Sequence, residues 1–190
     1  MIAGLLLAAG GARRFGAQKL LAPLDGMPLV RHAALHLAQS VEDLVIVVGC
    51  EAELVRDALG GVSATVVENA EWASGIAGSI RCGVDVLPLD AEAVIVALGD
   101  EPRIDAAVTR AVITRWEEAR AAIVSARYRG VRGHPVLFDR RVFSELSTLT
   151  GDAGARSIIE RRARDVVYVD VDAQRPVDVD TPDDLPRLRE

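Results

Sequence analysis

Aromatic residues are scarce: phenylalanine, tyrosine and tryptophan together make up 4% of a 190-residue chain that is 50% hydrophobic. A core of adequate size must therefore be built from Ala, Val, Leu and Ile, the palette of a parallel sheet covered by helices. Cysteine is as rare. Cys50 and Cys82 form no C-x-x-C pair, which excludes the common zinc and thioredoxin-like patterns and reads as two free thiols in a reducing cytosol. His32 and His36 stand four apart, but the glutamate of an H-E-x-x-H zinc motif is missing. Positive charge is not in excess either. The formal charge is −6 and no basic tail is present, which argues against nucleic acid or an anionic membrane as the main partner. Any anion must be held by a local cluster of cations. No apolar run reaches the roughly 18 residues of a membrane span. The opening IAGLLLAAGGA has no charged stretch before it and runs into Arg-Arg, so it reads as a buried first strand rather than a secretory signal. The expected location is the cytoplasm.

What is present is alternation. Strand-like runs at Ile2–Ala8, Leu44–Val48, Ala64–Glu68, Ala93–Leu98, Ala122–Ala126, Pro135–Phe138 and Val166–Val171 are separated by segments of helical period. The helical candidates are Leu29–Ala38, Glu51–Leu59, Ile76–Leu87, Asp105–Arg120 and Gly154–Ala163. This pattern predicts one α/β domain over residues 1–190, with a mostly parallel central sheet and helices on both faces. The stretch from Tyr128 to Phe138 interrupts it and predicts at least one antiparallel strand.

In open sheets of this kind ligands sit beyond the carboxyl ends of the strands. After the first strand comes Ala9-Gly10-Gly11-Ala12-Arg13-Arg14-Phe15-Gly16-Ala17-Gln18-Lys19. It is neither a Walker loop, whose lysine would stand at position 17, nor the G-x-G-x-x-G dinucleotide turn, whose absence weighs against an NAD(P)H oxidoreductase. Small residues let the backbone approach a ligand, and successive N–H groups form an anion nest to which Arg14 and Lys19 add charge. The alternative is a solvated surface loop. After the fourth strand, Leu98-Gly99-Asp100-Glu101-Pro102 puts a carboxylate at the same edge. Asp100 is placed to hold magnesium on a nucleotide phosphate, or simply to cap the next helix. After the last strand, Val177-Asp178-Val179-Asp180-Thr181-Pro182 predicts a capped terminal helix with Asp180 as a second metal candidate and Asp178 in reserve. Asn69–Ser79, which contains Gly75 and Ser79, could line a base pocket, and Gly151–Arg156 is another turn entering a helix. His134, Asp152 and Arg156 are the weaker candidates for the substrate side. His134 also reads as no more than the start of a strand.

Taken together, LAAGGARRFGAQKLL resembles the L-A-[AG]-G-x-x-x-R-[FM]-G-x-x-K signature of the molybdenum-cofactor nucleotidyltransferases. The similarity continues in order through WASGIAGSIRCG, ALGDEPRI, GHPVLF, GDAGAR and VDVDTPDDL, nearly the whole chain. LAAG, GHPVLF and GDAGAR resemble the cytidylyltransferase branch more than the guanylyl one. The resemblance implies a three-layer Rossmann-like fold shared with nucleotide-sugar pyrophosphorylases. It implies that Ala8, Ala9, Gly10, Gly11, Arg14, Gly16 and Lys19 surround the triphosphate of CTP, that Arg14 and Lys19 are catalytic, and that Asp100 and Asp180 hold Mg2+. The expected reaction moves CMP to molybdopterin-bound molybdenum cofactor and releases pyrophosphate. Glu101 departs from the family's usual G-D-Q-P. Transfer to another phosphorylated acceptor, use of GTP, and a non-catalytic cofactor-binding accessory of a molybdenum hydroxylase are the remaining alternatives.

Overall fold

A computed structural model describes residues 1–11 and 15–188. The chain runs through β1 (Ile2–Ala8), a small hairpin of β2 (Pro23–Leu24) and β3 (Met27–Pro28), α1 (Leu29–Ala38), β4 (Asp43–Val48), α2 (Ala52–Leu59), β5 (Thr65–Glu68) and α3 (Ile76–Val84). It continues through β6 (Ala93–Leu98), α4 (Ala106–Ala119), β7 (Ile123–Tyr128), β8 (Val131–Asp139), α5 (Phe143–Leu146), α6 (Arg156–Arg161) and β9 (Val166–Val171).

Seven of the strands form one sheet in the order β5-β4-β1-β6-β8-β7-β9. β5, β4, β1 and β6 run parallel, so their carboxyl ends share one edge. β8 is antiparallel to both neighbours, the reversed strand expected between Tyr128 and Phe138, and β9 returns parallel to β7. The mostly parallel, three-layer expectation holds. β1 lies inside the sheet between β4 and β6, and all its residues are buried on both faces. Leu5 lies in register with Val45 and Val96. Successive side chains point to opposite faces, so Leu6 joins Ile46, Ile95, Val30, Leu37, Val55 and Trp116 in one core layer. Leu5 joins Val45, Val94, Ile80, Val84, Leu146 and Ile158 in the other.

Several boundaries differ from the sequence expectation. α3 stops at Val84 rather than Leu87: the N–H groups of Val86 and Leu87 donate to Gly83 and Val84 as tighter turns, and Pro88 keeps Leu87 itself from helical geometry. α6 is shorter than Gly154–Ala163, since Gly154 has a φ of +54° and stands outside the helix. β8 is longer than Pro135–Phe138. The terminal helix expected after Thr181 is replaced by two short 3-10 turns, Pro182–Asp184 and Pro186–Leu188. The segment around them packs Val179 and Leu188 onto Leu24 and Leu29. The carboxyl-terminal stretch thus reaches back over the β2–β3 hairpin to the start of α1.

Candidate active site

The carboxyl edge of β1 and β6 opens into a cleft of about 500 Å³. Its lining includes Ala8, Ala9, Gly10, Gly11, Lys19, Gly75, Ser79, Asp100 and Asp180, which the sequence had singled out from separate segments. Gly16, with φ +80°, belongs to the loop but not to that lining. Arg14 lies outside the described residues.

Backbone bonds fix the rim. The N–H of Gly99 donates to Leu7 (2.9 Å) and that of Cys50 donates to Ala9 (3.0 Å), tying the ends of β6 and β4 to β1. Gln18 does the same for the loop. Its buried amide donates to the carbonyls of Cys50 (2.9 Å) and Gly10 (3.4 Å), while its oxygen accepts from the N–H of Leu20 (3.4 Å). With Leu20 buried alongside, the stem of Lys19 is set at the floor of the cleft. The ring of Trp72 walls the loop: a Cβ on Gly11 would stand 2.5 Å from Trp72 Cζ3. Opposite, Asn69 donates to the Ser79 hydroxyl (3.1 Å), and both residues are buried, so Ser79 is held in the wall by a hydrogen bond.

Lys19 is the centre of charge. Its Nζ lies 2.6 Å from Asp100 Oδ2 and 3.2 Å from Asp180 Oδ1. Burial alone would lower the lysine pKa, but the attraction and hydrogen bond of Asp100, then of Asp180, outweigh it and hold the ammonium above its ordinary value. Asp180 is brought there by its neighbours. The Val179 N–H donates to the Asp100 carbonyl (3.1 Å), and Asp184 Oδ2 accepts from the N–H groups of Asp180 (3.1 Å) and Thr181 (2.8 Å).

Two carboxylates facing one cleft suit magnesium or manganese, which take one or two protein carboxylates and fill the remaining positions with phosphate oxygens and water. No group of three or more His, Cys, Asp or Glu able to hold a metal exists among the described residues. The donor set therefore fits a cation that arrives with a phosphate ligand better than a closed structural site.

A second pocket of about 280 Å³ adjoins the first and shares Leu7, Ile76, Leu98 and Asp152 with it. Its floor is apolar, with Val96, Val136 and Phe138, and its rim is cationic, with Arg132, Arg156 and Arg175. His134, Asp152 and Arg156 all line it. Buried Glu101 faces His134, with Nδ1 3.2 Å from Oε1. The Asp178 carboxyl next to it is pushed up to about 6 by burial and by its closeness to Glu101. Asp178 is thus engaged with Glu101 and Arg175 rather than with Lys19.

Gln18, Trp72, Arg132 and Arg175 are parts of this arrangement that the sequence reading did not single out. A polar amide wedged between the glycine loop and Lys19 was the available signal for Gln18.

The model of the MobA-like NTP transferase domain matches residues 4–166. The chain belongs to this family. Nicotine blue oxidoreductase of Paenarthrobacter nicotinovorans is 32% identical, over 98% of this chain and 96% of that protein. The crystal structure of Rv0371c from Mycobacterium tuberculosis H37Rv superposes with a TM-score of 0.89 at 32% identity, covering 98% of this chain and 96% of that one. A second structure of Rv0371c, in complex with manganese, gives a TM-score of 0.82 at 32% identity over 98% and 97% of the two chains. A Methanothermobacter nucleotidyl transferase, 23% identical over 100% of this chain and 96% of its own, shares the fold with a TM-score of 0.82. Nucleotidyl transfer, the class expected from the sequence, is the class of the MobA-like family.

Proposed function

We propose that this MobA-like protein, acting as one domain over residues 1–190 in the cytoplasm, transfers CMP from CTP to the terminal phosphate of a molybdopterin-type cofactor. The observation that carries the reading is the convergence of Lys19, Asp100 and Asp180 within 2.6 and 3.2 Å at the mouth of the glycine loop. Asp100 and Asp180 would hold Mg2+, which when bound neutralises phosphate charge. Backbone N–H groups around Gly10 and Gly11 cradle the triphosphate, as anion nests do. An oxygen of the acceptor phosphate attacks the α-phosphorus in line, the bond to the β-phosphate oxygen breaks, and pyrophosphate leaves. Lys19, with Arg14, stabilises the charge that builds on the departing pyrophosphate. No side chain need remove a proton, because the attacking phosphate is already anionic. The apolar floor and arginine rim of the adjoining pocket support an acceptor with a ring system and a phosphate. His134, Asp152 and Arg156 are its contacts in this reading.

Similarity over 98% of the chain to a protein named as an oxidoreductase favours a second reading. In it the cleft serves no transfer, and the protein either binds molybdenum cofactor for a partner hydroxylase or is an NAD(P)H-dependent oxidoreductase. Thermal melts with CTP, GTP, ATP, UTP and NADPH, each with and without magnesium, separate the readings. A ligand at 100 times its dissociation constant stabilises by about 2.7 kcal/mol. The transfer reading expects magnesium-dependent stabilisation by CTP, lost in Asp100→Ala. A shift with NADPH alone, or with no nucleotide, would transfer the assignment to the second reading. In the transfer assay, Lys19→Ala should slow turnover on the order of 10²-fold, as removal of one electrostatic stabiliser does.

A further inference from the structure

We propose that the Lys19 ammonium is an internal counter-ion occupying the seat of the divalent cation, so that cation binding must displace it toward the triphosphate. This rests on the reading that Asp100 and Asp180 hold that cation.

The geometry makes the two occupants exclusive. Nζ bridges Asp100 Oδ2 at 2.6 Å and Asp180 Oδ1 at 3.2 Å, and only 13% of the Lys19 side chain is exposed. A magnesium-type ion demands near-octahedral oxygen ligands at about 2.1 Å. An ammonium already against the same oxygens blocks that approach and repels the incoming charge. The lysine backbone cannot yield, because Gln18 and buried Leu20 pin its turn to the ends of β1 and β4. Its four-carbon stem can, since such stems are flexible and carry a point charge that rotates freely. The Gly10–Gly11 backbone lines the same cleft as Lys19. A triphosphate cradled there offers the ammonium new anionic partners within reach of its stem.

The consequence is coupling. Without a nucleotide, the cation must strip two carboxylates of their lysine with nothing to receive it. With a triphosphate present, the ammonium moves onto the phosphates and leaves its place between the two carboxylates. Cation and nucleotide therefore favour each other through Lys19, and by linkage the effect is reciprocal. The lysine also keeps Asp100 and Asp180 together when no cation is bound, holding the carboxyl-terminal segment on the sheet edge.

The test is binding of manganese(II) alone, without nucleotide, to the full chain, followed by the loss of the free-ion EPR signal and by calorimetry. Lys19→Met should bind manganese at least about tenfold more tightly than the native protein, a factor ordinary for coupling between sites. Lys19→Arg, which keeps the charge, should stay near the native affinity. Asp100→Asn placed on Lys19→Met should abolish the gain. Lys19→Met should also melt at a lower temperature than the native protein and recover on adding manganese. If it does not fold, Lys19→Gln carries the same expectation. Equal or weaker manganese binding by Lys19→Met, with Asp100→Asn still weakening it, would overturn the counter-ion role and leave the cation reading standing. Binding unaffected by Asp100→Asn, or none to the native protein and Lys19→Met, would overturn both.

Discussion

Gly75 has a φ of +114°, and a Cβ there would run into Asp152 Oδ1 and stand 2.9 Å from the Gly151 carbonyl oxygen. No other residue type meets both conditions, because the left-handed region and the close approach each exclude a side chain. The residue matters beyond its own strain. It starts α3 and, with Asp152, borders the wall where the two pockets meet. Gly75→Ala should destabilise the protein by about 1–3 kcal/mol, the usual cost of a strained backbone position. It should also weaken nucleotide binding by more than the lost stability explains, because the α3 start and the Gly151–Asp152 turn must separate. Urea melts with titration of CTP and magnesium on the folded variant check both effects. Unchanged nucleotide affinity in the folded variant would make Gly75 a purely structural turn. Gly11 differs in kind. Its obstacle is the tip of the Trp72 ring, a partly exposed side chain that can move, so Gly11→Ala should act on the shape of the cleft more than on the fold.

At the scale of elements, the junction of α4 with β8 is held by one carboxylate. Asp139, at the end of β8, accepts from Trp116 Nε1 (3.0 Å) and from the Arg141 N–H (3.0 Å) and Nε (2.7 Å). Burial would raise its pKa, but these donors, Arg141 first, outweigh burial and hold the acid below its ordinary value. A depressed carboxylate stabilises the fold above its unfolded pKa and loses that contribution as pH falls through the folded value. The native protein should therefore weaken below about pH 4, where free aspartate begins to protonate. Asp139→Asn should cost about 1–3 kcal/mol at neutral pH, by leaving buried donors poorly served, and should flatten the acid limb of a melt-against-pH curve. An acid limb identical to that of the native protein would remove Asp139 from that role. This junction was not legible in the sequence, whereas β1 and β6 were. Both of those strands are unbroken apolar runs ending in glycine, so a local pattern suffices. Trp116 and Asp139 are separated by β7, a turn and the length of β8, and only the β7–β8 pairing brings them together. The same holds for Gln18, whose amide has meaning only once the ends of β1 and β4 are adjacent. Asp100 and Asp180 were legible because one rule, ligands at the carboxyl edge, applies to both. Of the second pocket, His134, Asp152 and Arg156 were named as separate candidates, but their assembly with Arg132 and Arg175 was not, since it needs β8 and the α6 turn brought together.

Across the whole molecule, the charge centre joins segments far apart in the sequence. Lys19 follows the first strand, Asp100 follows the sixth, and Asp180 arrives from beyond the last strand. Among the described residues, the carboxyl-terminal segment is held by Val179 and Leu188 packed with Leu24, Leu29, Phe15 and Ala22, by one backbone bond from Val179 to Asp100, by the Thr181–Asp184 turn and by the Lys19–Asp180 ion pair. Val179 is fully buried, immediately before the carboxylate that completes the site. Val179→Ala removes two methyl groups from that small cluster and should cost about 1–3 kcal/mol, the range for losing a buried methyl pair. Because the cluster sits apart from the two main core layers, the loss should fall mainly on local opening of residues 177–188. Hydrogen exchange would show faster exchange of the Val179 amide while β1 and β6 stay protected. Opening withdraws Asp180 from Lys19 and Asp100, so the variant should bind magnesium and nucleotide more weakly in proportion to the fraction of time the segment is detached. If exchange quickens at Val179 and nucleotide affinity does not change, Asp180 contributes nothing to ligand binding, and the site reduces to the glycine loop, Lys19 and Asp100.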